Sequence, residues 1–243
     1  MSRRVRVFVP TLSAGPRELP REQAHYLTVV HRLERGASFV AFDPELGLEA
    51  EGTVTRSERT RVECELAQPK PAERRSLGVS LLQAASKGDR LEQVVRAGTA
   101  LGAERIVVVM CERSVAPPSE LRRERLRAIA IEAARQCERG DLPELVGPIA
   151  FADAITAGSE VNELKLCLSP RSRTPLAERI RGWLPGAPAH LLVGPEGGFS
   201  DNELSLAERA GFLDAALGPF ILRTELAATA ALACFVGKLP SQE

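Results

Sequence analysis

The chain has 243 residues and a mass of 26.2 kDa, room for one large domain or two modest ones. Lys+Arg and Asp+Glu both number 32, so the formal net charge is zero and the pI is about 6.9. That balance excludes a globally basic nucleic-acid tail and a highly charged disordered chain, and leaves open a local basic patch.

Hydrophobic residues make up 44%, enough for a sizeable core, while aromatics are only 4%, too few for a site of stacked rings. Twenty-eight of the 32 basic residues are arginine. Arginine suits forked contacts with phosphate or carboxylate, although a GC-rich genome gives the same bias. Cys64, Cys111, Cys137, Cys167 and Cys234 form no C-x-x-C pair, and the three histidines complete no metal spacing. Lone thiols of an intracellular protein are expected, and no metal. The opening MSRRVRVFVP has no signal-type apolar stretch. No run reaches the roughly 18 apolar residues of a membrane helix. The expectation is a cytoplasmic protein away from membranes.

Short strands dominate the first third. Arg4–Val9 alternates, and Ser38–Phe42, Leu48–Arg56 and Arg61–Leu66 follow, with Asp43-Pro44 marking a turn. One helix, Arg21–Leu33, interrupts them. This pattern predicts a small β-barrel. The polar, proline-bearing stretch Gln68–Arg75 reads as a linker.

From Ser76 the rhythm becomes strand then helix. Leu77–Gln83 is an apolar strand, and Gly88–Leu101 a helix with Leu91, Val94, Val95 and Leu101 on one face. Arg105–Met110 reads as a strand buried on both faces. Ser119 caps a helix that turns Leu126, Ile129, Ala133 and Cys137 inward. Arg122, Arg123, Glu124, Arg125 and Arg127 fall on its solvated face. Leu164–Leu168 and His190–Val193 are further strands. Ser200 and Glu203 form a capping box for a helix that buries Leu204, Ala207 and Ala210. Leu213–Leu217 is a last strand and Arg223–Val236 a last helix. The alternation predicts an α/β domain with a parallel sheet.

Two segments carry special chemistry. Leu191–Ser200 (LLVGPEGGFS) runs from a buried strand into a capped helix, the end of a parallel strand where ligands bind. Its glycines let backbone approach a ligand. It is neither G-x-G-x-x-G nor a phosphate loop, so nothing in it specifies a dinucleotide or ATP. A plain tight turn is the other reading. Leu217–Glu225 (LGPFILRTE) repeats the strand-to-helix passage and places Arg223, Thr224 and Glu225 at a helix start. A mutual Arg223–Glu225 salt bridge would also explain that pair. His25, His31, Tyr26, Trp183 and Cys137 read as packing or surface residues.

The two segments together, GPEGGFSDNEL…GF…LGPFILRTEL, resemble the C-terminal signature of the RsmE-type 16S rRNA uridine-N3 methyltransferases of the SPOUT superfamily. KGDRLEQVVRAGTALGAERI, from Lys87 to Ile106, is similar to that family's first helix and following strand. Cys111-Glu112-Arg113-Ser114 resembles its S-E-R-S turn, and Glu132–Cys137 with Arg139 its E-A-x-x-Q-[CS]-x-R helix end. Arg6–Val9, His25, Arg32-Leu33 and Phe42-Asp43 match its first domain. The likeness spans nearly the whole chain.

The resemblance implies a PUA-like β-barrel over 1–72 that grips RNA. It implies a SPOUT α/β methyltransferase domain over 73–243, tied in a trefoil knot. Such knots are rare enough that no pattern of strands would suggest one. S-adenosylmethionine would lie against Leu168, Ser169, Gly194, Pro195, Glu196, Gly197, Gly198, Leu217, Gly218, Ile221, Leu222 and Thr224. The substrate would be 16S rRNA, within the 30S subunit, and the protein a homodimer. Methyl transfer is mainly a matter of positioning. The N3 of uridine is a poor nucleophile until its proton leaves, so the site needs a base or a positive charge. Arg223 fits the charge role, and Glu225 or Glu196 the base; the spacing does not rank the two. Lys87, Arg90, Arg113 and Arg139 are candidate contacts to rRNA phosphates, as are Arg3, Arg4, Arg6 and Arg32 on the barrel.

The chain departs from the family pattern at Phe220, where Arg is frequent, at Leu226, usually Thr or Ala, and at Gly36-Ala37, often Gly-Asp. Two rival readings are a non-catalytic RNA-binding relic and a knotted methyltransferase acting on tRNA. Residues 1–75 carry 13 basic and 11 acidic side chains, and 151–243 carry 8 and 11. That tilt predicts that gripping and chemistry are separated along the chain.

Overall fold

A computed structural model of the chain describes residues 4–58, 60–114, 120–156 and 163–240. The chain divides into two compact units, residues 1–75 with 131–142, and 76–130 with 143–243.

The first unit opens with β1 (Arg6–Phe8), β2 (Gly15–Glu18) and α1 (Arg21–His25), which continues as a π-helical turn over Tyr26–Val30. The expected longer helix to Leu33 therefore ends early, and Arg32 sits at φ +54°. Strands β3 (Ser38–Asp43), β4 (Leu48–Glu58), β5 (Arg61–Leu66) and β6 (Lys70–Pro71) follow. They form one sheet in the order β1-β3-β4-β5-β2, with β6 against β4. The expected linker thus contributes a short strand. Alternation puts Val54, Val62, Cys64 and Leu66 into a core with Val7, Leu27 and Phe39. Burial pushes the Cys64 thiol up to about 11.

The second unit contains β7 (Val79–Ala84), α2 (Arg90–Ala100), β8 (Arg105–Met110) and α3 (Glu120–Cys137), whose last turns belong to the first unit. It continues with β9 (Glu144–Ala150), α4 (Phe151–Thr156), β10 (Leu164–Leu168), α5 (Leu176–Arg179) and β11 (Ala189–Val193). It closes with α6 (Asp201–Arg209), β12 (Leu213–Ala215) and α7 (Thr224–Val236). The strands form a parallel sheet in the order β12-β10-β11-β7-β8-β9.

Every residue of β7 and β11 is buried, as expected for central parallel strands covered on both faces. Strand β12 ends at Ala215, shorter than expected, and leaves Leu217 in a loop. On α2, Leu91, Val94, Val95, Gly98 and Thr99 are buried along one face. The small residues of α7 let it pack on α2, β7 and β11. Ser119 lies outside the described residues.

Candidate functional site

All strands of the second sheet run the same way, so the loops after β7, β8, β10, β11 and β12 meet at one edge. The sequence order reverses between β11 and β7, the kind of switch point where open parallel sheets bind ligands. A cavity of about 490 Å³ opens at this edge, over the ends of β10, β11 and β12, within the usual range for small-molecule sites. Its wall takes Leu168–Arg171 after β10, Val193–Phe199 after β11, and Leu217–Gly218 with Phe220–Thr224 after β12. Leu168, Val193, Leu217, Ile221 and Leu222 give it an apolar lining.

The loops are held by polar clamps. The Thr224 hydroxyl donates to the Gly194 carbonyl at 2.7 Å and accepts from Gln83 Nε2 at 2.8 Å. Gln83, fully buried at the end of β7, also donates to the Ala84 carbonyl. Ser200 and Glu203 form the expected capping box at the start of α6. Glu203 is buried, and its other carboxylate oxygen accepts from the Glu112 amide at 2.8 Å. From the same 111–114 turn, Arg113 donates to the Gly197 carbonyl at 2.8 Å. Cys111 and Cys167 lie buried nearby, and burial pushes both thiols up to about 12, so neither is a nucleophile.

Gly198 and Gly218 adopt φ +69° and +123°, a region costly for other residues. A Cβ at either position would meet no protein atom within 4 Å. It would point into open space on loops that line the cavity.

Charge is distributed unevenly. Arg223 precedes α7, is exposed, lines the cavity, and pairs with no carboxylate among the described residues. Glu196, also on the cavity wall, pairs with Arg90 at the start of α2. Arg90 Nε also lies 3.7 Å from Glu225 Oε2.

The RNA methyltransferase domain family matches residues 73–236. The ribosomal RNA small subunit methyltransferase E of Synechocystis is 35% identical over 224 residues, 88% of this chain and 71% of that protein. The chain belongs to the ribosomal RNA small subunit methyltransferase E family. Its Bacillus subtilis member is 28% identical over 221 residues, 87% of this chain and 86% of that protein. The Neisseria gonorrhoeae member, solved with S-adenosylmethionine bound, matches with a TM-score of 0.80 at 29% identity, covering 95% of this chain and 96% of that one. A Legionella pneumophila protein, also solved with that cofactor, gives a TM-score of 0.81 at 31% identity, over 97% of this chain and 98% of that one.

Within this family member, the cavity gathers Leu168, Ser169, Gly194–Gly198, Leu217, Gly218, Ile221, Leu222, Arg223 and Thr224. Glu225 does not line it; its side chain is 14% exposed and turns toward Arg90. The Arg223–Glu225 bridge entertained from sequence does not form. Of the expected phosphate contacts, Arg139 is corrected: it is buried and held in a fork by Asp141 at 2.8–3.0 Å, beyond reach of a phosphate. Arg6 is largely buried too, paired with Glu49 at 3.3 Å and stacked over Phe42. Arg90 and Arg113 are engaged by the glycine loop. Lys87 and Arg32 are exposed, and Arg4 is exposed but paired with Glu51 at 2.5 Å. Arg3 lies outside the described residues.

Sequence reasoning missed Gln83 and the tie from Glu203 to the 111–114 turn. A lone polar residue inside an apolar strand was the available signal for Gln83.

Proposed function

We propose that this chain transfers a methyl group from S-adenosylmethionine to N3 of a uridine in 16S rRNA. The observation that carries the reading is the cavity over the ends of β10, β11 and β12, with Gly198, Gly218 and an unpaired Arg223 on its wall, in a chain of this family.

The residues present fit the cofactor. The apolar wall of Leu168, Leu217, Ile221 and Leu222 suits an adenine ring, and backbone groups beside Gly198 and Gly218 stay accessible because no Cβ fills the space. When bound, S-adenosylmethionine supplies an activated methyl group on a sulfonium. The protein's part is to orient the uracil and manage one proton. Glu196 takes the N3 proton, and Arg223 stabilises the negative charge that spreads onto the uracil carbonyls. The N3–carbon bond then forms as the sulfur–carbon bond breaks. Glu196 is preferred to Glu225 because it faces the cavity. Among the described residues no His, Cys, Asp and Glu group could hold a metal.

The finer assignments belong to the same reading. Residues 1–72 act as a PUA-like barrel, with Arg4 and Arg32 as its RNA contacts. Residues 73–243 are the SPOUT domain with its trefoil knot, and Lys87 adds a phosphate contact. The protein works as a cytoplasmic homodimer on the 30S particle. Among the described residues no helix is long and apolar enough to cross a membrane.

The test is transfer of labelled methyl to small subunits from cells lacking the enzyme, followed by mapping of reverse-transcriptase stops. Label in 16S rRNA with a stop at one uridine is expected. No label, beside an active family member, defeats the reading. Loss of S-adenosylhomocysteine binding in calorimetry would point to a non-catalytic relic, and a stop in tRNA to the other rival.

A further inference from the structure

We infer that Arg90 is a positioning residue that sets Glu196 against Arg223, with Glu225 as its anchor. The inference rests on the reading of the cavity given above. Three elements meet at this guanidinium: its own helix α2, the glycine loop through Glu196, and the first turn of α7 through Glu225. Arg90 Nη1 takes Glu196, and Nε faces Glu225. The planar guanidinium reaches both acids at once: Nη1 donates to Glu196, and the charge at Nε attracts Glu225 across 3.7 Å, so one cation holds the two carboxylates close to each other.

What this fixes is chemical. Arg223 immediately precedes α7, and Glu225 lies in the first turn of that helix. Tying Glu196 to Glu225 through Arg90 therefore ties the acid on the cavity wall to the helix start that carries the free cation. Glu225 is ill placed to receive a substrate proton: it does not line the cavity, and its Oε2 is buried without a hydrogen bond. Its distance to Arg90 Nε, 3.7 Å, makes it an ionic anchor. Two carboxylates brought together without the cation would repel, and the loop bearing Glu196 would move away from α7. Arg90 is 30% exposed, so its substitution tests placement more than folding.

The test is steady-state methyl transfer to 30S subunits by Arg90→Gln, Arg90→Lys, Glu225→Gln and the Arg90→Gln/Glu225→Gln double variant. Misplacement of a reacting group by about 1 Å costs on the order of 100-fold. Arg90→Gln should therefore lower kcat about 10- to 100-fold, with KM for S-adenosylmethionine within about threefold. Arg90→Lys, a point charge without the fork, should recover only a small part. Glu225→Gln should cost less, and the double variant should be no worse than Arg90→Gln, because Glu225 acts through Arg90. Unchanged kcat in Arg90→Gln, a loss confined to KM, or losses that multiply in the double variant would each overturn the inference. Multiplying losses would give Glu225 a role of its own. If the wild type binds S-adenosylhomocysteine yet methylates no rRNA, the functional reading fails separately. Hydrogen exchange at residues 196–199 then decides: faster exchange in Arg90→Gln supports the inference, and unchanged exchange refutes it.

Discussion

Gln83 donates from its side-chain amide to the Thr224 hydroxyl at 2.8 Å, joining residues 141 apart in sequence. The same hydroxyl donates to the Gly194 carbonyl, so one oxygen binds a central strand, the glycine loop and the start of α7. Both side chains are buried. Thr224→Val keeps the shape and removes the oxygen, so the half-buried Gly194 carbonyl loses this donor and the buried Gln83 amide keeps only the Ala84 carbonyl. Such a loss costs about 1–3 kcal/mol. Thermal unfolding should shift down by several degrees, at about 2–4 °C per kcal/mol for a chain this long. Affinity for S-adenosylhomocysteine should fall alongside. Gln83→Met should be milder, since Gln83 Oε1 already lacks a partner and that orphan disappears with it. Equal melting of Thr224→Val and wild type would show that the clamp contributes little.

The open glycines separate backbone strain from ligand contact. Gly198→Ala forces a side chain into φ +69°, at a cost of about 1–2 kcal/mol. It also places a methyl group on a loop lining the cavity. Gly211→Ala is the control: its φ is +88°, its Cβ likewise meets open space, and it does not line the cavity. Both variants should lose similar stability in urea titration. Only Gly198→Ala should weaken S-adenosylhomocysteine binding, by at least about tenfold, or about 1.4 kcal/mol. Equal affinities in the two variants would remove Gly198 from the ligand contact.

How much of this was legible in the sequence depended on range. Strands β8 and β11 announced themselves as apolar runs, and the α6 start as a capping box, because these signals lie within a few residues. The two motif segments lay on loops that the parallel sheet brings together, so the cavity wall followed from local reading plus the family likeness. Strand β9 was missed because Gly147-Pro148 in its middle reads as a turn. Helix α5, at four residues, is too short to show a period. Arg90 looked like a phosphate contact because its partner Glu196 is 106 residues away. Arg139 had a nearer warning, an acid two positions on, but burial of the pair depends on packing that sequence does not display.

Arg223 owes its prediction to the lack of a partner. A guanidinium that faces the cavity and pairs with no carboxylate among the described residues is available for charge that develops on substrate. Removing one such stabilising donor typically costs 10²–10³-fold in turnover, an order-of-magnitude guide for this site. Arg223→Gln should thus lower kcat by about 100-fold or more, while S-adenosylhomocysteine affinity stays within about threefold. Arg223→Lys should restore part of the rate. If Arg223→Gln weakens cofactor binding as much as turnover, its role is to hold the ligand.

The opposite end of β11 carries a pH dependence unrelated to the site. His190 is buried, with Nε2 3.2 Å from Glu163 Oε2. Burial disfavours the imidazolium and lowers the His190 pKa below its ordinary 6.5, while Glu163 opposes the shift and Lys165 adds to it. In the unfolded chain the histidine binds its proton near 6.5, so below that pH the unfolded state takes up more protons than the folded one. The contribution of neutral His190 to stability is therefore complete above pH 6.5 and is lost as the pH falls through the lowered folded value. Urea unfolding measured from pH 7.5 down to 5 should show stability declining below about 6.5, and His190→Gln should flatten that part of the curve. A wild type that instead gains stability on acidification, with the gain abolished by His190→Gln, would mean that Glu163 outweighs burial and that the pair is an ion pair in the folded protein.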